Sequence, residues 1–355
     1  MVYLGTVSDR IPIIPPFAPD DHISAGPLPF GEIFDLDRLR RSLRKPVLEW
    51  SDVKSLPPRL SLDAPSSVEQ FGCWSTRPPH EKEPFLAHNL LHHLGLDISY
   101  TRLPEYIRQD PSLAAHSHIA LMPLAQKIYS LNPLTHSGDE ILMAPSPHGA
   151  KLSPNNHLAC FDFMYYASVG TQPYEWQSSW SPVWRHIGRY LEFTEPIIDI
   201  VKGYVRRALQ VITYELPPFI TVHARRGDFV HQCWDVPSQC LAPLSAYVRK
   251  VKEIQGAIFV KFGIKVTEVL ITSDETDLAF WKEVQAEGWK YIDHVAERTL
   301  DQYGEWYVPI IDIVAQSMGI GFVGSIDSTV SIVSAHRVED WNQGITRMVN
   351  WGGRE

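Results

Sequence analysis

From Phe219 onward, apolar runs of strand length alternate with segments of helix length, and that alternation restricts the second half of the chain to one kind of architecture. Phe219 to His223 reads as a strand, Leu244 to Phe262 as a helix, Val266 to Thr272 as a second strand, and Asp277 to Ala286 as the helix behind it. Tyr291 to Asp293 is a short strand and Trp306 to Met318 a helix. Gly321 to Gly324 is a strand that opens into the helix Ser328 to His336. Strands and helices in alternation imply an α/β lobe with a parallel sheet and right-handed crossovers. Such sheets bind ligands beyond the carboxyl ends of their strands, which directs attention to the loops that follow them.

The first half is less regular. A chain of 355 residues with 44% hydrophobic residues can fill two cores. The expected division is a first lobe over 1–195, a second over 196–335, and a tail, 336–355, packing back on the first lobe. The first 80 residues are rich in proline and turns, with a helix around Asp35 to Leu43 and a strand at Pro46 to Trp50. Phe85 to Tyr106 reads as mainly helical, Ser117 to Leu131 as a helix, and Asn132 to Asn156 as a long surface connection. His157 to Val169 reads as a buried strand, and Trp184 to Leu209 as one long helix.

A net charge of -9 and a pI near 5.9 give no electrostatic footprint for nucleic acid or an anionic membrane, so an anionic ligand must be met locally. No stretch approaches the roughly 20 apolar residues of a membrane span, and the start at Met1 lacks the features of a signal peptide. The chain reads as soluble. Four cysteines, Cys73, Cys160, Cys233 and Cys240, lack zinc-site spacing. Cys233 and Cys240 are close enough to close a small loop in an oxidising compartment, and two reduced thiols fit equally well. No Asn-x-Ser/Thr sequon is present. Among eleven tryptophans, Trp176, Trp180 and Trp184 fall in one segment that suits sugar stacking or, more simply, core packing.

The sharpest local signal is His223-Ala224-Arg225-Arg226-Gly227-Asp228, directly after the strand that begins the second lobe. An Arg there can fork two charge-assisted hydrogen bonds onto phosphate oxygens. Gly227 lets the backbone turn, Asp228 can fix Arg226 or a nearby amide, and His223 can meet a phosphate or a hydroxyl. A plain salt-bridged loop accounts for the same residues. Arg226-Gly227-Asp228 also spells an adhesion tripeptide, but it follows a buried strand and not an exposed tip. Gly324 to Ser331 lies between strand and helix, where free amides and the hydroxyls of Ser328 and Thr329 suit a pyrophosphate. Simple N-capping by Asp327 or Ser328 suits them too. Asp274 follows a strand, where a sugar or base edge can be held. Asp312 is a lone carboxylate on an apolar helix face and needs a partner, whether a nucleotide, Arg225 or an internal cation. Asp35-Leu36-Asp37 spells the Asp-x-Asp of metal-dependent transferases but stands at a helix start, where capping explains it.

On these residues the chain resembles the GDP-fucose protein O-fucosyltransferases, whose second lobe carries a His-x-Arg-x-x-Asp type segment after its first strand. His223, Arg225 and Asp228 match it, Gly324 to Ser331 matches the family's later Gly- and Ser/Thr-rich segment, and the stretch with Asp312 matches its acidic helix. The match spans roughly residues 200 to 335. The resemblance implies a GT-B fold of two Rossmann-like lobes with a cleft between them. It implies inverting transfer of fucose from GDP-fucose to a hydroxyl of a protein or glycan acceptor. Arg225 is the implied catalytic residue, relieving charge on the β-phosphate. His223, Arg225, Asp228, Asp274, Asp312, Ser328 and Thr329 are the implied donor-binding set, with no metal or other cofactor required. No residue stands out as general base. The family's home is the secretory lumen, ER or Golgi, although the chain shows no entry signal. Two departures stand beside the match. The family's Gly-rich strand-to-helix opening is not found, Met1 leading into what reads as the second strand region, so the first lobe is expected to be incomplete. Val330 stands where many relatives have an aromatic. Two other readings follow: a GT-B transferase for another nucleotide sugar, or an inactive relative serving as a binding module.

Overall fold

The structure, a computed structural model, describes residues 1–19, 23–56, 68–109, 118–130, 141–169, 175–178, 180–232 and 240–351. It divides into two units, Met1–Glu192 and Phe193–Glu355. In the first, β1 (Ile13–Ile14) pairs in parallel with β2 (Leu48–Glu49). A three-stranded sheet is ordered β3 (Glu69–Ser75), β4 (Leu96–Arg102), β6 (Leu142–Ala144), parallel between the first two and antiparallel between the last two. β5 (Ile119–Ala120) and β7 (Ala167–Ser168) form a separate parallel pair. A disulfide joins Cys73 on β3 to Cys160. The loop considered above between Cys233 and Cys240 lies partly outside the described residues, because Cys233 does.

Several expectations for this unit are corrected. The chain begins with the helix Val2–Val7, not a strand region. Only His88–Leu94 of the segment expected to be helical is an α-helix; Gly95, at φ +63°, ends it, and Leu96 to Arg102 then alternates apolar and polar residues as a strand does, before a short 3-10 turn at Glu105–Ile107. The helix expected over Ser117 to Leu131 is Leu121–Lys127, preceded by β5. His157 to Val169 is strand only at β7, and Phe161 meets Trp74 through a single bridge. Trp184 to Leu209 is two α-helices, Pro182–His186 and Glu195–Ala208. Pro196, with no N–H to give, fits the first turn of the second and not the interior of one long helix.

The second unit follows the alternation closely. β8 (Phe219–Ala224), β9 (Glu268–Ser273), β10 (Lys290–Tyr291), β11 (Gly321–Ser325) and β12 (Ile345–Val349) form one parallel sheet in the order β10-β9-β8-β11-β12. Counted from the first strand of the unit this is 3-2-1-4-5, a doubly wound order whose direction reverses between β8 and β11. All six residues of β8 are buried, and Ile220, Val222, Ile254, Ile258, Ile271 and Val284 sit in the core between the sheet and the helix Leu244–Phe262. The last helix runs Thr329–Asn342, well past His336, and residues 345–349 are the fifth strand of this sheet, where a tail packing on the first unit was expected.

Candidate active site

β8 and β11 end side by side at the reversal of strand order, where the two crossovers leave in opposite directions and open a crevice. Arg225 follows β8 and its amide donates to Ser325 Oγ at 2.9 Å, tying the two strand ends together. The Arg225 guanidinium is held by two carboxylates, Nε to Asp228 at 2.8 Å and Nη1 to Asp274 at 2.7 Å. Nη2 has no hydrogen-bond partner among the described residues, and the side chain keeps 31% exposure. The salt-bridged loop is present as one of the two expected readings: two carboxylates fix the plane of the guanidinium, and one edge stays open.

Asp274 takes more of this load than its position suggests. Its Oδ1 also accepts from the Arg226 amide at 2.7 Å, so both of its oxygens serve the loop after β8 and not a sugar or base edge. Gly227 is bare because of the same carboxylate: a Cβ would lie 2.9 Å from Asp274 Oδ2, so close approach and not a left-handed turn excludes a side chain. Asp228 pairs with Arg225 and not with Arg226. Arg226 turns inward, with Nε on Glu275 at 2.6 Å, Nη1 on the Ala242 carbonyl at 2.8 Å, and its guanidinium 4.6 Å from the Phe280 ring centre. Burial alone would raise the Glu275 carboxyl, but Arg226 and neighbouring amides hold it below its usual range. The adhesion tripeptide is therefore not presented as an exposed tip.

A hydroxyl cluster supports the crevice from β11. Ser325 Oγ touches Tyr247 Oη at 2.8 Å and donates to the His223 carbonyl at 3.2 Å, and the Ser325 amide donates to Ser331 Oγ at 3.0 Å. His223 Nδ1 lies 2.8 Å from the same Ser331 oxygen. The imidazole is 6% exposed; burial, with Arg225 adding to it and Asp274 opposing it, lowers its pKa to about 4, so the ring is neutral near pH 7. Ser328 caps the helix Thr329–Asn342, accepting from the Ser331 amide at 3.3 Å, and Thr329 is exposed at the first helical position. Asp327, at φ +64°, turns the chain before the cap.

Asp312 is not joined to Arg225. Its Oδ1 meets His294 Nε2 at 3.0 Å, and His294 Nδ1 meets Thr299 Oγ1, also at 3.0 Å. Burial raises the carboxyl and His294 opposes that rise. One turn later on the same helix, Tyr307–Gln316, the Gln316 amide donates to Thr272 Oγ1 at 2.9 Å near the end of β9. The Asp312–His294 pair thus lies toward the carboxyl edge of the sheet, with His294 just beyond β10. Asp35 caps the helix Leu36–Leu43 through the Arg38 amide at 2.8 Å and Asp37 pairs with Arg40 at 2.9 Å, so neither shapes a metal site. Among the described residues no cluster of three or more metal-ligating side chains occurs.

The sequence thus located the loop after β8 and the cap of the last helix. Ser325, Ser331, Tyr247, Glu275 and His294 escaped it as site residues. Ser325 and Ser331 lie inside the segment singled out, and their period of six across a strand-to-helix turn is the signal that was available. Tyr247 and His294 carry no local mark.

No helix among the described residues is long and apolar enough to cross a membrane. No curated protein matches the chain in sequence. The structure is similar to POFUT1 in complex with GDP-fucose, with a TM-score of 0.57 and 13% identity over 99% of this chain and 92% of that one. It is similar to POFUT1 without ligand (TM-score 0.55, 12% identity, 98% and 91% covered) and in complex with GDP (0.54, 13%, 98% and 92%). At such identity the likeness speaks for the fold, which is α/β of the GT-B class; among the described residues the doubly wound order appears in the second unit, whereas the first holds the mixed three-stranded sheet. The sequence pattern of the GDP-fucose protein O-fucosyltransferases matches residues 6–338. Carried by that match over nearly the whole chain, the protein belongs to the GDP-fucose protein O-fucosyltransferase family and is a glycosyltransferase of the fucosyltransferase kind.

Proposed function

We propose that the second unit holds the diphosphate of GDP-fucose where β8 and β11 end, with Arg225 as the catalytic residue. The observation that carries this reading is the Arg225 fork, fixed by Asp228 and Asp274 with Nη2 left open, on a loop whose Arg225 amide is tied to Ser325, three residues before the cap of the helix Thr329–Asn342. When the bond from fucose C1 to the β-phosphate oxygen breaks, its electron pair stays on that oxygen. A preset guanidinium edge stabilises this charge more than it stabilises the ground state. The acceptor hydroxyl oxygen bonds C1 from the opposite face, inverting the configuration, and gives up its proton to base. The amides at the helix start and the hydroxyls of Ser328 and Thr329 share the phosphate charge.

Asp312 spends one oxygen on His294 and makes no other hydrogen bond among the described residues. A carboxylate held so, toward the carboxyl edge of the sheet, can accept from the paired N1–H and N2 amino donors of guanine. Uracil offers one N–H between two carbonyls, so the pair favours GDP over UDP. The Cys73–Cys160 disulfide, with Cys73 buried, favours assembly in an oxidising compartment and supports the secretory lumen as the place of work.

Calorimetric titration with GDP, GDP-fucose and UDP tests this reading. GDP and GDP-fucose should bind and UDP should bind far more weakly. Arg225→Ala should weaken GDP by about 100-fold, the equivalent of roughly 3 kcal/mol for charge-assisted hydrogen bonds lost to a phosphate. Unchanged GDP affinity in Arg225→Ala would remove the donor site from this position.

A further inference from the structure

We propose that Ser331 is a positioning residue that fixes His223 as the Nε2–H tautomer, so that the ring offers a hydrogen-bond donor to the diphosphate. The tautomer follows from the contacts alone, whereas its ligand rests on the donor site proposed above.

Ser331 is completely enclosed, and Gly324 is bare to admit it: a Cβ there would lie 2.7 Å from Ser331 Cβ. A hydroxyl has two lone pairs and one proton. One lone pair of Ser331 Oγ is taken by the Ser325 amide at 3.0 Å, which can only donate. The proton needs an acceptor, since buried polar hydrogens are seldom left without one. His223 Nδ1, at 2.8 Å, is the acceptor within reach among the described residues. Nδ1 therefore carries the lone pair, and a neutral imidazole with its lone pair on Nδ1 has its proton on Nε2. The opposite tautomer would leave the Ser331 proton buried without a partner, a disadvantage of roughly tenfold or more in population.

The buried setting that keeps the ring uncharged lowers its pKa to about 4, with Arg225 pressing it down and Asp274 drawing it up. Nε2 meets no partner among the described residues. At a site built for phosphate oxygens, the tautomer sets the sign of the contact: Nε2–H attracts them, whereas a lone pair on Nε2 repels them. The same hydroxyl, through Ser325, also steadies the Arg225 amide, so one buried serine governs both cationic and neutral donors at the strand ends.

The test is the nitrogen-15 spectrum of histidine-labelled protein, with the His223 signal among fifteen histidines assigned by its loss in His223→Asn. The ligand-free wild type should show Nε2 protonated and Nδ1 bare. Ser331→Ala should move the ring toward the other tautomer and weaken GDP by about tenfold, and Ser331→Thr should restore both. A wild-type ring protonated on Nδ1 overturns the proposal without recourse to any variant. So does a tautomer unchanged in Ser331→Ala, or GDP affinity indifferent to Ser331→Ala while Arg225→Ala weakens it by about 100-fold. If Arg225→Ala leaves GDP binding intact, it is the donor site that fails. The tautomer, read without ligand, is decided separately.

Discussion

The two units satisfy their backbones by different means. In the second, five parallel strands bond one another along one continuous sheet, with crossovers beginning at capped helices such as those at Asp277 and Ser328. In the first, long side chains finish what short strands leave undone. Arg102 donates to the carbonyls of Pro78, Pro79 and Glu81, Arg108 to those of Thr76 and Arg77, and Arg10 to those of Ile128, Asn156 and His157. The buried Asp97 gathers Gln70, Ser146 and His148 around one carboxylate. Irregular backbone can be buried when each carbonyl and amide finds a partner, and here those partners come from far along the chain. A sheet whose strands share many bonds is robust to a single loss; irregular backbone held by single side chains depends on each tie.

The strongest way to break this comparison is to cut the Cys73–Cys160 tie. It closes 87 residues, for which chain-entropy reasoning gives a stabilisation of about 4–5 kcal/mol. Replacing both cysteines by alanine should lower the denaturant midpoint of the first unit and leave amide exchange protection in β8, β9 and β11 nearly unchanged. Equal loss of protection in both sheets would show that the units do not answer separately.

Acid sharpens the contrast from the other side. His223 titrates near 4 when folded and near 6.5 when unfolded, so the unfolded state binds the extra proton between those values and stability falls as pH drops through that window. From pH 7 to pH 5 the cost is about 2 kcal/mol. Burial would raise Asp97, but hydrogen bonds from Ser146, Gln70 and His148 outweigh it and hold the folded carboxyl below 3.8. Its contribution is present above the unfolded value and fades only as pH falls through the lower folded one. Going from pH 7 to pH 5 should therefore weaken the second unit and spare this tie of the first. Denaturant unfolding at the two pH values, with His223→Asn flattening the difference, checks the assignment.

The same contrast explains what could be read from the sequence. Leu244 to Phe262 is a helix over the expected residues because its apolar stripe and Gly263, at φ +72°, are both local facts. Arg225, Asp228 and Ser328 were legible because a doubly wound sheet dictates where its ligand loops fall. Asp97, by contrast, was hidden in a segment with helical spacing, and its strand exists because β3 on one side and β6 on the other complete it. Tyr247 and His294 were hidden for the same reason: each reaches the site from a separate crossover, at a distance no spacing rule covers. The Cys73–Cys160 pair went unseen because 87 residues separate its halves, while the closer Cys233 and Cys240 drew attention.

The smallest effect bears on the cap at the candidate site. Ser328 Oγ accepts from the Ser331 amide at 3.3 Å, so Ser328→Ala removes one cap from the helix Thr329–Asn342 and should cost about 1 kcal/mol of stability. If this were only a cap, GDP affinity would change little, since the helix has fourteen residues and β11 and β12 hold it at both ends. If its hydroxyl also meets the diphosphate, affinity should fall several-fold further, and Ser328→Thr should recover it while Ser328→Asp, an equally good cap but an anion, should not. Measuring stability and GDP affinity on the same three variants separates the two roles. Asp recovering the stability but not the affinity is the result that makes this helix start part of the donor site.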